Sequence, residues 1–259
     1  MSTSQHAFVA AQYGARAADY VTSAVHRAGA DLDEMEELLK GLKVVRALDL
    51  GCGGGHVSYR AAPHVAEVVA CDVTSEMLDA VAVTAAGRGL SNIRVQQAAA
   101  ESLPFPDASF DIVLCRFSTH HWPNMEAGLR EARRVLRPSA PALFIDVVAP
   151  ANPALDSHLQ AVELLRDASH VRDYSTAEWI AALARSGFTL SAISVRTLRM
   201  EFPVWTARTR TPPAHAEAIR SLQSASPALV REHFAIGPDG SFNIETASFV
   251  VHAIPCPPG

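Results

Sequence analysis

The chain has 259 residues, of which 22 are Lys or Arg and 27 are Asp or Glu, so its formal net charge at pH 7 is −5. Hydrophobic residues make up 49% of the sequence, which excludes a disordered or low-complexity protein. The mild acidity excludes a nucleic-acid binder whose affinity comes from neutralising phosphates.

The cysteines and the first residues bear on location. Cys52, Cys71, Cys115 and Cys256 show no CxxC or similar spacing, so we expect neither a zinc ribbon nor a thioredoxin motif, and no metal site. Residues 1–14 lack the basic and apolar regions of a secretory signal. No apolar run approaches the roughly 20 residues that span a bilayer. These features predict a cytoplasmic protein with reduced thiols and no membrane span.

In chain order, the first half alternates helices with apolar runs. Helices are predicted over Ala15–His26, Leu32–Lys40, a segment starting near Thr74, and Met125–Leu136. Strands are predicted over Val44–Leu50, Val65–Val73, Ile93–Val95, Phe110–Cys115 and Ala142–Val148. This alternation predicts an α/β fold in which a parallel sheet carries helices on both faces.

The chain after Pro150 contains more helices and two more strands. We predict helices over Ala154–Arg166, from the Ser175 capping box to Gly187, and over Ala214–Gln223 and Ala228–Phe234. We predict strands over Leu190–Phe202 and Asn243–Ile254, with a Pro- and Arg-containing stretch at Pro203–Pro213 after the first. The whole chain then reads as one domain, with residues 1–42 a helical lid, 43–149 the cofactor-binding core, and 150–259 substrate-side insertions plus the final strands.

A glycine cluster follows the first apolar run. A strand that enters glycines and then a helix places backbone N–H groups beside a ligand. A dinucleotide fingerprint needs a third glycine at position 56, which is His56 here. The pattern present is instead Asp49-x-Gly51-x-Gly53-x-Gly55, with Cys52 inside it. Within LDLGCGGGHVS, this loop resembles motif I of class I S-adenosylmethionine-dependent methyltransferases.

A second acid supports that resemblance. Asp72 ends the second predicted strand, where a carboxylate can accept hydrogen bonds from both ribose hydroxyls. In the family this is the ribose-binding acid; the alternative is an Asp that caps the next helix. Val73 follows it as a further candidate cofactor contact. Met77 stands where the family packs an apolar side chain on the adenine, with ordinary core packing as the alternative.

The segment AAESLPF resembles the DAExLPF segment of the type 11 methyltransferases related to ubiquinone and menaquinone biosynthesis. There an Asp meets the adenine amino group, whereas this chain has Ala99, so Ala100 or Glu101 has to take the role. SFDIVLCRFSTHHW also matches the family, which places Arg116 to His121 beside the methionine end of the cofactor. The resemblance implies a Rossmann-like, seven-stranded, mostly parallel sheet with helical lids at the N-terminus and after strand 5.

The resemblance further implies methyl transfer from S-adenosylmethionine to a small-molecule acceptor by direct in-line displacement, leaving S-adenosylhomocysteine. Orientation does most of this work, and a base is needed only if the acceptor loses a proton. His120 and His121 are the candidate base or acceptor contacts, with simple packing as the alternative. The predicted lid residues are Tyr13, Arg16 and Tyr20, with Arg16 facing the methionine carboxylate.

A later loop offers candidate acceptor contacts. His170, Arg172 and Tyr174 are placed to hold an anionic or polar acceptor, although a solvated surface loop reads the same. Two other functions fit the glycine loop: an NAD-dependent oxidoreductase, disfavoured by His56, and a catalytically silent cofactor-binding module, suggested by Ala99. We expect a monomer or homodimer that binds no nucleic acid.

Overall fold

The computed structural model describes residues 4–14 and 29–255. The predicted helix Ala15–His26, the candidate residues Arg16 and Tyr20, and Cys256 therefore lie outside the described residues. Among the helices that are described, none combines the length and the apolar character needed to cross a membrane.

The strands form one seven-stranded sheet. In chain order they are β1 (Arg46–Leu50), β2 (Glu67–Asp72), β3 (Ile93–Gln97), β4 (Ile112–Arg116), β5 (Pro141–Val148), β6 (Phe188–Met200) and β7 (Phe242–Ala253). The spatial order is β3-β2-β1-β4-β5-β7-β6. Neighbours from β3 to β5 are parallel, and β7 runs antiparallel to both β5 and β6. The predicted fold class, a mostly parallel seven-stranded sheet flanked by helices, is confirmed.

Helices cover the sheet and the cavity at its edge. They are α1 (Gln5–Gly14), α2 (Ala30–Lys40), α3 (His56–Ala61), α4 (Ser75–Gly87), α5 (Met125–Val135), α6 (Pro153–Arg166), α7 (Thr176–Arg185), α8 (Phe202–Arg208), α9 (Pro213–Ala225) and α10 (Ala228–His233). The capping box predicted at Ser175 is present, because its side chain and that of Glu178 each bond the other's backbone N–H.

The sheet is buried because its central strands are apolar on both faces. All eight residues of β5 are buried, and one core cluster packs α5 and α7 on one face. A second cluster packs α2, α3 and α4 on the other face. A third cluster joins the ends of β5, β6 and β7 to helices α6, α8, α9 and α10. Parallel strands covered on both faces read as continuous hydrophobic runs, which is why the sequence revealed them.

The helix α1 (Gln5–Gly14) was not predicted, and the end of β6 differs from the prediction. Strand β6 ends at Met200 rather than at Phe202, and α8 occupies the start of the Pro- and Arg-containing stretch. Pro203 lies in the first turn of that helix, where a backbone N–H has no intrahelical partner to lose. The proline that suggested an irregular stretch therefore starts a helix, and this helix carries Trp205 into the third core cluster.

Strand order places the site. The chain moves outward from β1 to β2 and β3, then returns to the other side of β1 with β4 and β5. In open parallel sheets a crevice opens at such a reversal, outside the carboxyl ends of the strands. Gly51 follows β1 and Phe117 follows β4, so the glycine loop and the STHHW segment meet at this crevice.

Candidate functional site

A cavity of about 370 Å³ lies at the carboxyl ends of the parallel strands. The predicted site residues that line it are Tyr13, Asp49, Gly51, Cys52, Gly53, Asp72, Val73, Met77, Ala100, Glu101, Arg116, His120 and His121. The predicted residues Gly55, Ala99, His170, Arg172 and Tyr174 lie outside this lining. The structure thus brings most of the predicted cofactor-binding residues together around one cavity. The predicted acceptor contacts His170, Arg172 and Tyr174 do not line it.

The glycine loop needs glycine at two positions for different reasons. Gly51 has φ +73, and a Cβ there would collide with the Ser118 hydroxyl at the end of β4. Gly53 has φ +47 and lines the cavity, and a Cβ there would meet no other atom of the described residues within 4 Å. Gly51 lets β1 and β4 approach each other, while the space beside Gly53 is open to a ligand.

The two predicted acids fix different parts of the glycine loop: Asp49 binds Ser58, which follows it, and Asp72 binds the backbone of Gly53 within it. Asp49 is buried, and its Oδ2 accepts hydrogen bonds from the backbone N–H (3.0 Å) and hydroxyl (2.6 Å) of Ser58, in the first turn of α3. Burial raises the pKa of Asp49 to about 7. Its carboxylate therefore fixes the start of α3, although the residue also lines the cavity.

Asp72 is only partly buried and lies at the end of β2. Its Oδ2 accepts a hydrogen bond from Gly53 N (2.9 Å), and its Oδ1 accepts one from Thr74 N (2.9 Å). Desolvation raises the pKa of this carboxyl, while the backbone hydrogen bonds act in the opposite direction. The Asp72 carboxylate is thus fixed beside the open side of the glycine loop, and both of its oxygens are held by backbone.

The adenine-side candidates lie next to Asp72. Met77 is buried on α4 and lines the cavity. Ala99 forms an isolated bridge with Ser102 and is not part of the cavity lining, whereas Ala100 is. Glu101 accepts from Asn124 N at 3.3 Å and pairs with His6 of α1 at 3.0 Å. Glu101 therefore connects the N-terminal helix to the cavity rim.

Arg116 ends β4 and forms a buried ion pair across the cavity. Its Nε donates to Asp31 Oδ2 at 2.5 Å, and both side chains are almost fully buried. The guanidinium also stacks over the Phe117 ring, 4.5 Å from its centroid. Asp31 lines the same cavity at the start of α2. The sequence analysis missed Asp31, whose only signal was an acid in the first turn of a helix.

His120 is oriented by a buried carboxylate. Its Nδ1 lies 2.6 Å from Oδ1 of Asp146, near the carboxyl end of β5, and His120 lines the cavity. Burial by itself would lower the pKa of His120, but the charge and hydrogen bond of Asp146 outweigh it and raise the pKa to about 9. A carboxylate on Nδ1 fixes the ring and leaves Nε2 as the nitrogen that can exchange a proton with a ligand.

His121 faces the N-terminal helix instead. Its Nδ1 donates to the Ser169 carbonyl (3.2 Å), and its Nε2 lies 3.1 Å from the Tyr13 hydroxyl. Tyr13 in turn donates to Asp167 Oδ2 at 2.5 Å. Burial and the neighbouring charge of His120 lower the pKa of His121 to about 4. The two histidines, adjacent in sequence, therefore hold opposite protonation states at neutral pH.

The remaining predicted acceptor contacts, His170, Arg172 and Tyr174, make contacts within the protein outside the cavity. The His170 Nε2 donates to Gln160 Oε1 at 2.9 Å, and its ring centroid lies 5.9 Å from that of His120. Arg172 pairs with Asp156 (3.1 Å) and Glu178 (3.2 Å). Tyr174 packs against the first core cluster. Their predicted contact with an acceptor stays a prediction, and what the structure shows is their role in holding this segment.

Beyond the cofactor candidates, the cavity continues into a chamber that the sequence analysis did not identify. Its apolar wall consists of Val147, Leu198, Met200, Trp205 and Ile244. Its polar lining includes His120, Glu163, Arg166, Asp173, Arg196, Thr197, Arg208 and Thr246. The one sequence signal for the polar side was an acid, Asp146, inside the otherwise apolar run ALFIDVV of β5.

Two of these polar residues lie close enough to Asp146 for the three to share a metal ion. One atom each from His120, Asp146 and Asp173 falls within 4.8 Å of the other two. The Nδ1 of His120 is already engaged by Asp146 Oδ1 at 2.6 Å. We therefore interpret the group as a proton-handling site, and the expectation of no metal stays a prediction.

With the geometry described, comparison with known proteins identifies the chain. A family model described as a methyltransferase domain matches residues 48–144. The uncharacterized protein YafE of Escherichia coli is 42% identical over 78% of this chain and 98% of that protein. The uncharacterized methyltransferase YcgJ of Bacillus subtilis is 35% identical over 84% of this chain and 86% of its own length. The chain belongs to the methyltransferase family.

Structure and more distant sequences agree. The crystal structure of YcgJ covers 88% of this chain and 99% of its own, with a TM-score of 0.84 and 31% identity. The ubiquinone/menaquinone biosynthesis C-methyltransferase UbiE of Ectopseudomonas mendocina is 32% identical over 53% of this chain and 62% of that protein. The resemblance to class I methyltransferases of the ubiquinone and menaquinone group is confirmed. This methyltransferase is an S-adenosylmethionine-dependent enzyme, and the oxidoreductase and silent-module alternatives receive no support.

Proposed function

We propose that this methyltransferase binds S-adenosylmethionine in the crevice between β1 and β4, with the ribose hydroxyls on Asp72. The observation that carries the proposal is the position of the Asp72 carboxylate, fixed at the end of β2 by Gly53 N and Thr74 N. An ionised carboxylate accepts two hydroxyl hydrogen bonds at once, which suits the two neighbouring hydroxyls of a ribose.

The surrounding residues fit the rest of that cofactor. The open space beside Gly53 lets the ligand approach the backbone closely. Met77 and Ala100 supply apolar surface for an adenine ring. The Arg116–Asp31 pair offers a cation and an anion side by side, the charges that complement the carboxylate and ammonium of the methionine portion. These contacts are assigned by complementarity and by the family resemblance.

The chamber lined by Trp205 and His120 then receives a small-molecule acceptor. Bound S-adenosylmethionine supplies an electrophilic methyl group on a sulfur that leaves as a neutral thioether. The protein holds the nucleophile in line with that bond and excludes water, which is catalysis by orientation. His120 acts as the base in its neutral form, which becomes populated as pH rises towards its pKa of about 9: Nε2 then accepts the acceptor proton, while Asp146 holds the ring and stabilises the imidazolium.

His121 has a different part in this proposal. Its link to Tyr13 ties α1 to the segment at Asp167, so that α1 closes one side of the cavity. The small-molecule acceptor fits the enclosed chamber. The cytoplasmic location, the absence of nucleic-acid binding, the monomer or homodimer, and the three-part division of the domain stay predictions from the sequence.

Calorimetry with S-adenosylhomocysteine tests the proposal. The wild-type protein is expected to bind it and not NAD, and Asp72→Ala is expected to weaken binding at least about tenfold because two hydroxyls lose a charged acceptor. Asp79→Ala, at an exposed acid of α4, is the matched control and should bind as the wild type does. Equal affinity in Asp72→Ala and Asp79→Ala would contradict the assignment of the ribose site.

A further inference from the structure

Asp173 is a buried acid in the wall of the acceptor chamber. Its side chain is almost completely buried, yet its Oδ2 has no hydrogen-bond partner among the described residues. The carboxyl lines the cavity within 4.8 Å of ligand atoms of His120 and Asp146. Buried polar atoms in proteins are almost always hydrogen-bonded, so an unpaired oxygen on a residue of the cavity wall indicates a position that a ligand donor completes.

The backbone of Asp173 is held in place independently of any ligand. Its N–H donates to Gln160 Oε1 (3.0 Å), and its carbonyl accepts from Gln160 Nε2 (2.8 Å). Gln160 belongs to α6, so the segment is anchored to a helix rather than suspended in a loop. The side chain is therefore set into the chamber before an acceptor arrives, which is the preorganisation that specific binding sites use.

The charges around Asp173 restrict what can bind it. Glu163 lines the same chamber and pairs with Arg166 at 3.3 Å. Burial and the neighbouring Glu163 raise the pKa of Asp173 well above its usual range. Arg166 and Arg196 also line the cavity, but each is already paired with an acid (Glu163 and Glu34), so an anionic acceptor would have to displace a carboxylate. A cationic acceptor would face protonated His120, Arg166 and the sulfonium of the cofactor. A neutral group that both donates and accepts hydrogen bonds, such as a hydroxyl, avoids both of these electrostatic penalties.

We propose that Asp173 is the acceptor-recognition residue of this methyltransferase, and that it binds a hydroxyl group on a neutral, largely apolar small molecule. This inference rests on the proposed function, because the chamber is an acceptor site only if the cofactor occupies the glycine-loop end. The wall formed by Trp205 and Met200 takes the apolar body, and the Asp173 carboxyl takes the hydroxyl beside His120. A site built to hydrogen-bond a hydroxyl strongly rejects the analogue that lacks it.

Three naphthalene probes test the assignment by calorimetry on protein saturated with S-adenosylhomocysteine. 2-Naphthol carries one hydroxyl on an apolar body, 2-methylnaphthalene lacks it, and 2-naphthoate is anionic. We expect the wild type to bind 2-naphthol more tightly than the other two. Asp173→Leu is expected to weaken 2-naphthol binding at least about tenfold while leaving 2-methylnaphthalene binding equal or tighter.

Asp79→Leu is the control, since Asp79 is exposed on α4 and lies outside the cavity lining. It is expected to keep the wild-type affinity for 2-naphthol. If Asp173→Leu does not fold, Asp173→Ala provides the same comparison. Equal 2-naphthol affinity in wild type and the Asp173 variant, undetectable binding in both included, overturns the proposal. Failure of the wild type to bind S-adenosylhomocysteine contradicts the cofactor site instead, and calorimetry detects it before any probe is added.

Discussion

Nδ1 of His120 lies 2.6 Å from Oδ1 of Asp146, a buried carboxylate near the carboxyl end of the longest parallel strand. Asp146 also accepts hydrogen bonds from Thr119 N and Val147 N, so its position is fixed by backbone. The pair connects the sheet directly to the acceptor chamber. Only His120 contacts Asp146, whereas His121 contacts Tyr13, so the structure assigns different roles to two histidines that the sequence did not distinguish.

Replacing the proposed base should reduce turnover without affecting cofactor binding. His120→Gln keeps a polar side chain but cannot take a proton, so at a pH near 9, where part of the wild-type His120 is neutral, we expect turnover to fall about a hundredfold or more. Affinity for S-adenosylhomocysteine should stay within about twofold, because His120 contacts the acceptor end. The measurement is S-adenosylhomocysteine release with any acceptor that supports it. Wild-type turnover in His120→Gln would remove the residue from the mechanism.

The protonation of the two histidines can be measured without an acceptor. In NMR titrations of the ligand-free protein we expect the pKa of His120 near 9 and that of His121 near 4. Asp146→Asn removes the charge that raises the pKa of His120, so its titration should move to lower pH. Because the base acts when deprotonated, turnover should rise as pH increases towards the pKa of His120. Identical titration of His120 in wild type and Asp146→Asn would show that the carboxylate does not control it.

The left-handed turn at Gly51 provides a test of the glycine loop. Gly51→Ala places a Cβ against the Ser118 hydroxyl at φ +73, so we expect the free energy of unfolding to fall by about 1–3 kcal/mol or more. Gly87→Ala is the matched control at the end of α4, where a Cβ meets nothing within 4 Å of the described residues. It should be neutral or stabilising by up to about 1 kcal/mol. Urea denaturation distinguishes them, and equal stability of the two variants contradicts the account of the loop.

His170 should make the folded protein less stable at acidic pH. Burial and the charges of His120 and His121 lower the pKa of His170 to about 3. Between about pH 6.5 and pH 3, His170 is protonated in the unfolded chain but neutral in the folded protein. The free energy of unfolding therefore decreases as the pH falls through this range. The difference in unfolding free energy between wild type and His170→Gln should shrink by about 1 kcal/mol per pH unit in that window. His233→Gln, at an exposed site, is the control. A pH-independent difference for His170→Gln contradicts this account.

The cofactor half could be predicted because its signals are local. Asp49, Gly51 and Gly53 lie in or next to the short loop between β1 and α3, so their spacing in the sequence is enough to predict the shape of that loop. Asp72 is similarly local, since the end of β2 fixes its position. The apolar character of strands buried on both faces gave their locations within a few residues.

The acceptor half could not be predicted, because its contacts join distant segments. Tyr13 reaches His121 across 108 positions and Asp167 across 154. These contacts depend on where α1 lies against the finished fold, which no local pattern encodes. Asp173 looked like one polar residue in a loop, and only the packing of α6 and β5 around it leaves its oxygen buried and unpaired.

A crystal structure with S-adenosylhomocysteine tests the central claim most directly. We predict both ribose hydroxyls within hydrogen-bond distance of the Asp72 carboxylate, the backbone of Gly53 against the ligand, and the sulfur facing the chamber between His120 and Trp205. A ligand bound elsewhere, or one whose sulfur points away from His120, would contradict the account.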